Sequence, residues 1–338
     1  MSRYARRLQK IGSSMLISLP SEWVKNNNLK KGNMVMIEVN RNNSISLYPS
    51  DVDAEDVKEV NIPHPQQSMD SLTNQIYGAY LLGYDIIRIK GKSQISFDDR
   101  ELIKLAMRKL VGLEIVDENG SNIISQFLLD ANTLDAEKIL RRMSSIVAGM
   151  YKDTLIGIQK KENGSSKKSI VSRDDEVDRQ YFLLVRLIRS AMMDQKLASK
   201  LNLSNIDILD YRIAANHLES AGDYITDFAT ALPIICHDKL IEEIIHAASL
   251  IEKMQEKSIA GFINKNRVES NEVIKIYSNF NDLLNLTKEL SAQTEIEKQD
   301  TPIALLNSIF SMDKIARCWV DIADLVKPVY LTAALRNA

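Results

Sequence analysis

Cysteine, histidine and long apolar runs are all scarce in this 338-residue chain. The two cysteines, Cys236 and Cys318, argue against a disulfide framework and for a reducing compartment. The four histidines do not combine with them in a zinc-ligand spacing. No run of about eighteen apolar residues occurs, and no charged leader with an apolar core opens the sequence. The sequence therefore predicts a cytoplasmic protein that is not an integral membrane protein.

Catalytic patterns are missing as well. No glycine-rich loop of the kind that cradles phosphates appears, and no nucleophile stands beside a general base. A hydrolase that works through carboxylate-bound metal is the weakest interpretation, because its acidic pairs lack such partners. We do not expect an enzyme.

The first forty-eight residues carry a net positive charge, whereas the chain as a whole is slightly acidic. They hold eight Lys and Arg side chains against two Glu side chains, which gives this segment +6, whereas the whole chain carries −2. The other 290 residues therefore carry −8. A small basic segment on a larger acidic body suggests a polyanionic partner at one end of the chain.

The same segment follows a distinct order of elements. Arg3, Arg6 and Arg7 lead into Lys10-Ile11-Gly12-Ser13-Ser14, and a strand is expected from Met15 to Leu19. Pro20 then opens a short helix, and the turn Leu29–Asn33 precedes two more strands, 34–40 and 44–48. Such a short segment buries little surface alone, so pairing of two copies is expected.

This order resembles the SpoVT/AbrB-type DNA-binding domain, with Leu19-Pro20 and Trp23-Val24 at matching places and Asn33 where that family often has Asp. The resemblance implies a swapped-hairpin homodimer that binds DNA, with Leu19 and Trp23 in its core. The alternative is a small basic β module with solvated charges and no nucleic-acid role. The residues expected to contact DNA are Arg3, Arg6, Arg7, Lys10, Ser13 and Ser14.

Residues 50–130 are predicted to form an α/β connector domain after the N-terminal domain, 1–49. Its acidic, proline-marked start is a linker or a first strand, Val57 to Ile62. A helix from Met69 should end at Gly83, and a second helix should begin at Phe97. Asn119-Gly120 between two apolar runs predicts a hairpin.

Residues 131–338 are predicted to be nearly all helical. Ser204 and Asp207 resemble a capping box, and a Lys-, Gly- and Ser-rich loop is expected over 160–169. Segments 218–229 and 312–323 align without gaps at a fixed offset, which indicates two repeats of three helices, about 135–232 and 235–327. The six expected helices are about 135–159, 173–202, 206–232, 235–264, 267–296 and 302–327.

The repeat resembles the PhoU domain, a tandem pair of three-helix bundles. Gly222 and Ala229 stand at places of the third-helix signature of that family, together with three acidic residues. In some PhoU proteins such carboxylates hold a divalent metal, so the resemblance implies a site that could take Fe, Mn, Mg or Zn. The alternative is a solvated acidic face without metal. The expected ligands are Asp174, Asp178, Glu219, Asp223 and Asp227.

The second repeat departs from this pattern. Asp313 and Asp321 are retained, but Arg317 replaces the acid between them. An Arg among acids supplies positive charge by ion pairing, so we expect no metal in this half.

The three regions together resemble archaeal PhoU-family regulators. The chain is therefore expected to be multi-domain and mainly α, with a small β-rich N-terminal domain. The function implied is a DNA-binding transcriptional regulator of phosphate uptake, whose helical body senses a signal or binds a partner. The alternative is an accessory protein that regulates a phosphate ABC transporter or its sensor kinase by protein contacts, with the N-terminal domain only dimerising.

Overall fold

The computed structural model describes residues 4–39, 44–49, 57–130, 133–160, 165–231, 238–293 and 301–326. The chain separates into two units, residues 1–57 and 58–338, and each is considered by itself. The boundary expected at residue 130 lies inside the second unit and stays a prediction.

The N-terminal unit consists of two hairpins around a short helix. Strands β1 (Gln9–Ile11) and β2 (Ser14–Leu16) pair antiparallel across a turn at Gly12, whose φ of 61° suits glycine. Helix α1 (Ser21–Asn26) follows, and β3 (Val35–Val39) pairs antiparallel with β4 (Ile45–Pro49). The strand predicted to reach Leu19 ends at Leu16, because β1 offers only three residues for pairing within the chain.

The second unit begins with a four-stranded sheet in the order β5-β6-β8-β7. Only β5 and β6 are parallel, and helix α2 connects them. Ser68 and Ser96 cap α2 and α3 by accepting hydrogen bonds from the backbone N–H groups of Ser71 and Asp99. The elements are β5 (Glu59–His64), α2 (Met69–Leu81), β6 (Ile86–Gly91), α3 (Phe97–Arg108), β7 (Leu113–Glu118) and β8 (Asn122–Phe127).

Helices fill the rest of the described chain and pack in two sets of three. The first set is α4, α5 and α7, the second is α8, α9 and α10, and α7 against α10 joins them around one hydrophobic core. This confirms the predicted fold class. The helices are α4 (Ala136–Gln159), α5 (Ser165–Met193), α6 (Gln195–Lys200), α7 (Asn205–Ala231), α8 (Asp238–Asn264), α9 (Arg267–Gln293) and α10 (Thr301–Asp324).

The structure corrects the expected course of α5. The helix begins at Ser165, so the loop predicted over 160–169 is wrong from residue 165 onward. It also ends at Met193 instead of continuing to residue 202. Asp194 causes the break, because its side chain accepts a hydrogen bond from Lys196 N at 2.8 Å and so caps the short helix α6. The capping box of α7 is confirmed, since Ser204 and Asp207 exchange hydrogen bonds at 2.9 and 3.2 Å.

A buried arginine on α5 attaches the sheet region, which consists of β5 to β8 with α2 and α3, to the helices. Arg186 is 4% exposed, and its Nη1 donates to the carbonyl oxygens of Tyr80 at 2.7 Å and of Tyr84 at 2.9 Å. Its Nη2 lies 3.4 Å from Asp85 Oδ1, and its guanidinium carbon lies 3.9 Å from the ring centre of Phe127. The sheet region thus accepts the hydrogen bonds of the guanidinium, offsets its charge with Asp85 and provides an aromatic ring for stacking.

Replacing Arg186 with Met should lower the free energy of unfolding of the full chain by about 3 kcal/mol, because buried carbonyl groups and Asp85 lose their donor. Denaturant unfolding followed by circular dichroism measures this. Arg189→Met, on the same helix but half-exposed, is the control and should change the value by less than about 1 kcal/mol. Equal losses in both variants would contradict a specific role for Arg186.

Candidate nucleic-acid interface and acidic cluster

The basic residues expected to contact DNA lie in the exposed first hairpin and the arm before it. Arg6 and Arg7 precede β1, Lys10 lies within it, and Ser13 and Ser14 stand at the turn. Arg6 lies over the ring of Tyr4, whose hydroxyl donates to Glu22 on α1. Arg3 lies outside the described residues. The exposed cations and hydroxyls are available for phosphate contacts, and their assignment to DNA stays a prediction.

The turn before β3 explains how Asn33 replaces the usual Asp. Asn33 Oδ1 accepts a hydrogen bond from the N–H of Lys30, and the N–H of Asn33 donates to the carbonyl of Lys30 at 3.0 Å. Gly32 has a φ of 96°, a conformation that strains residues with a side chain. The amide oxygen thus does what a carboxylate would do at this turn.

No described side chain of residues 4–49 is buried. Leu19 and Trp23, predicted as core residues, are only half-buried in the single chain. Large apolar side chains are exposed on both hairpins, so the described part of the unit has no core of its own. The exposed ones are Tyr4, Leu8, Ile11, Met15, Leu16, Ile17, Met34, Met36, Ile37, Val39 and Ile45.

In the second unit, α5 and α7 bring acidic side chains together across their packed faces. Asp174 and Asp178 are one turn apart on α5, and Glu219, Asp223 and Asp227 follow one another at four-residue spacing on α7. Asp174, Asp178 and Glu219 are half-buried, whereas Asp223 and Asp227 are exposed. We call these five residues the acidic cluster.

Burial and mutual repulsion raise the pKa values in this cluster. Burial, followed by repulsion from Asp223 and Asp178, raises the pKa of Asp174 to about 7, against a partial opposing effect of the Thr226 hydroxyl. The pKa values of Asp178 and Glu219 are raised by burial and then by the charge of Asp223. That of Asp223 is raised by burial and by Asp227. The charges of the α7 carboxylates therefore act on the carboxyl groups of α5.

Gly222 makes this close approach possible. A Cβ atom at this position would lie 2.9 Å from Asp174 Oδ1, closer than real Cβ contacts. Asp174 Oδ1 is itself buried without a hydrogen-bond partner among the described residues. The glycine thus lets a carboxylate oxygen rest against the α7 backbone, at the cost of leaving that oxygen unsatisfied.

The acidic cluster lacks the geometry of a preformed metal site. Among the described residues, no three or more His, Cys, Asp or Glu side chains are placed to hold a metal ion. The carboxylates are near enough to perturb one another but do not converge as a ready coordination sphere. A site for Fe, Mn, Mg or Zn therefore stays a prediction.

In the second set of helices, Arg317 neutralises its acidic neighbour as expected. Its Nε lies 2.9 Å from Asp313 Oδ2, and the hydroxyl of Tyr277 donates to Asp313 Oδ1 at 3.1 Å. His217 of α7 lies 3.7 Å from Asp321. In the second set of helices, Arg317 thus supplies a cation beside the acidic residues.

Residues 140–232, which include α5, α7 and the whole acidic cluster, match the family model of the PhoU domain. The chain carries a PhoU domain. Residues 8–54 match the model of the antidote-toxin recognition domain of MazE, a bacterial antitoxin, and form a MazE/AbrB-like domain. No curated protein matches the chain.

The solved structures that are similar to this chain include two PhoU proteins. The crystal structure of PhoU from Pseudomonas aeruginosa is 17% identical, with a TM-score of 0.49, and the match covers 58% of this chain and 95% of that one. The phosphate transport system regulatory protein PhoU from Streptococcus pneumoniae is 12% identical, with a TM-score of 0.48, and the match covers 56% and 91%.

Two residues that connect the PhoU domain to the sheet region were not predicted from the sequence. Lys109, after α3, lies 3.3 Å from Asp175 and lowers the pKa of Asp178. Arg186 stands in the otherwise apolar stretch 182–188, which was a detectable signal, because a charge there needs a buried partner. Lys109 gave no such signal.

The raised pKa of Asp174 predicts that the free energy of unfolding falls as pH rises. In the unfolded chain this carboxyl loses its proton near pH 3.8, and in the folded chain its pKa is about 7. Between these two pH values the folded chain therefore binds more protons than the unfolded chain, and its stability falls as pH rises. Asp174→Asn should remove part of this decrease in the free energy of unfolding, about 1 to 2 kcal/mol after a discount for the partial exposure of the side chain.

Urea unfolding of the full chain at pH 5 and at pH 8 measures this effect. The stabilising effect of Asp174→Asn should appear at pH 8 and be smaller at pH 5. Asp282→Asn, an exposed carboxyl on α9, is the control and should leave the pH dependence unchanged. A wild-type chain as stable at pH 8 as at pH 5, with no gain in the variant, would show that the pKa is not raised.

Proposed function

We propose that this chain is a DNA-binding transcriptional regulator of phosphate uptake that acts in the cytoplasm as a homodimer. The N-terminal unit of each of two chains pairs with the other and binds the duplex. The unit with the PhoU domain senses a signal or binds a partner, for which components of a phosphate ABC transporter or its signalling system are the candidates. The observation that carries this proposal is an exposed basic hairpin on a unit whose described part has no core of its own.

Electrostatics supports DNA as the partner of the N-terminal unit. Residues 1–48 carry +6 and the rest of the chain −8, so a polyanion is attracted to this segment and repelled from the rest. Arg6, Arg7 and Lys10 are exposed and close in sequence, so together they can neutralise neighbouring phosphates of a duplex. A module that only dimerises would not need this charge.

Hydrophobic exposure supports pairing of two copies. Unpaired, β1 to β4 would leave apolar side chains such as Ile37, which is 64% exposed, in water. A second copy carries the same strands and offers the same surface, so a two-fold arrangement could cover both. A dimer would also present two basic arms to the two strands of a duplex.

The PhoU domain supports a role in the regulation of phosphate uptake. No helix among the described residues is long and apolar enough to span a membrane.

Replacing Arg6, Arg7 and Lys10 with Ala should weaken binding to every duplex and reduce the dependence of the binding constant on salt. Each lost phosphate contact should lower the slope of log K against log salt by up to about one unit. Fluorescence anisotropy with a labelled random-sequence duplex at several salt concentrations measures both quantities.

The control for this experiment replaces Lys138, Lys253 and Lys275, three exposed lysines of the second unit, with Ala. That variant removes the same charge but should bind DNA as the wild type does. Equal affinity of the arm variant and the wild type would instead favour the accessory protein that regulates a transporter or its sensor without binding DNA.

Ile37→Lys should convert the full chain from dimer to monomer, because a charge would have to be buried between the paired strands. Sedimentation velocity measures the change, and duplex binding should fall in parallel. Met193→Lys, at an 81% exposed position of α5, is the control and should remain dimeric. A wild-type chain that sediments as a monomer would overturn the pairing of N-terminal units.

A further inference from the structure

A cleft lies between the sheet region and α5. It is formed by α3 and β7 on one side and by Arg179 of α5 on the other, and it encloses about 550 Å³. That volume lies within the range of small-molecule sites, which often occur where two packed regions meet. The acidic cluster and the basic hairpin contribute no residue to its lining.

The floor of this cleft is apolar. Met107 and Leu113, 2% and 3% exposed, belong to the core of the sheet region, and Ile115 beside them is half-buried. Met107 and Leu113 are almost wholly covered, so an apolar portion of a ligand would contact the exposed part of Ile115, without a change in the packing of the sheet.

Most charged groups at the rim satisfy one another. Lys104 lies 3.3 Å from Glu118, and Arg100 lies 2.7 Å from the same carboxylate, which lowers the pKa of Glu118. Arg108 and Glu114, in contrast, are exposed and form no ion pair with any described residue. The rim thus has one cation and one carboxylate left to interact with a ligand.

Arg179 holds a second unused donor. Its Nη1 lies 3.1 Å from Glu176, but its Nε is buried and has no hydrogen-bond partner among the residues that the structure describes. A buried donor without an acceptor costs about 1 to 3 kcal/mol. The side chain as a whole is 41% exposed, however, and the fork of its guanidinium matches the oxygens of a phosphate or a carboxylate, so an oxyanion in the cleft would bind its accessible N–H groups.

We propose that this cleft binds a small organic anion, with its phosphate or carboxylate group held by Arg179 and Arg108 and its apolar part against Ile115. Glu114 would accept a hydrogen bond from a donor on the ligand. The ligand would contact α3 and α5 together, and so strengthen the attachment that Arg186 provides a short distance along α5. The proposal does not depend on DNA binding or on a metal in the acidic cluster.

Phenyl phosphate, benzoate and inorganic phosphate are the probes for this site. Calorimetric titrations use the full chain with Arg6, Arg7 and Lys10 replaced by Ala, which removes anion binding at the arm, at constant ionic strength. Phenyl phosphate should bind at one site per chain and more tightly than inorganic phosphate, because only the former reaches the apolar floor. If benzoate binds more tightly than phenyl phosphate, the site is built for carboxylates.

Arg179→Gln and Arg108→Gln should each weaken the better ring-bearing probe tenfold or more, the equivalent of about 1.4 kcal/mol. Arg108 is exposed, so its replacement tests the site even where Arg179→Gln unfolds the chain. Arg142→Gln is the matched control, since Arg142 also pairs with Glu176, at 2.9 Å, but does not line the cleft. It should leave binding unchanged.

Two results would overturn the proposal. One is the absence of heat with both phenyl phosphate and benzoate. The other is binding that stays unchanged in Arg108→Gln and in folded Arg179→Gln, because the anion would then be held elsewhere.

Discussion

The N-terminal unit cannot cover its own apolar surface, and the proposed organisation of the protein follows from this constraint. Its two hairpins and one short helix bury no described side chain. Segments of this size usually gain a core by association. Pairing of two chains through β1 to β4 would supply that core, and it would set two basic arms side by side. One interaction would thereby give both stability and a two-fold surface for DNA.

The second unit is organised around α5. This helix carries two carboxylates of the acidic cluster at its N-terminal half, Arg179 at the proposed anion cleft, and Arg186 at the contact with the sheet region. Asp174, Asp178, Phe182 and Arg186 follow one another at four-residue spacing and so lie along one face. Phe182 packs against Tyr77 of α2, with ring centres 5.2 Å apart. Changes of charge along this face thus act on neighbouring turns of one rigid element.

Much of this fold could be predicted from patterns in the sequence. Asn119-Gly120, Gly83 and the pair Ser204 and Asp207 mark turns and caps through their own local chemistry, and each stands where it was expected. The start of α5 was missed because Lys, Gly and Ser suggested a loop over residues that the helix includes. Its break at Asp194 was also missed, since a capping Asp inside a helical pattern is easily read as a solvated residue.

The sites could be predicted only in part, because their geometry depends on tertiary contacts. Four-residue spacing showed that Asp174 could lie beside Asp178, but only packing of α5 on α7 sets Asp174 against Gly222. The role of Arg317 followed from its position among acids and is confirmed by its contact with Asp313. The roles of Lys109 and Arg179 depend on how the sheet region lies on α5, and no local pattern encodes that arrangement.

The central claim is that the chain regulates phosphate uptake by occupying DNA, and chromatin immunoprecipitation with sequencing of the full chain tests it most directly. The account predicts enrichment at a limited set of promoters that includes those of phosphate-transport genes, with loss of enrichment when Arg6, Arg7 and Lys10 are replaced. Coverage no higher than that of an untagged control across the genome would contradict it.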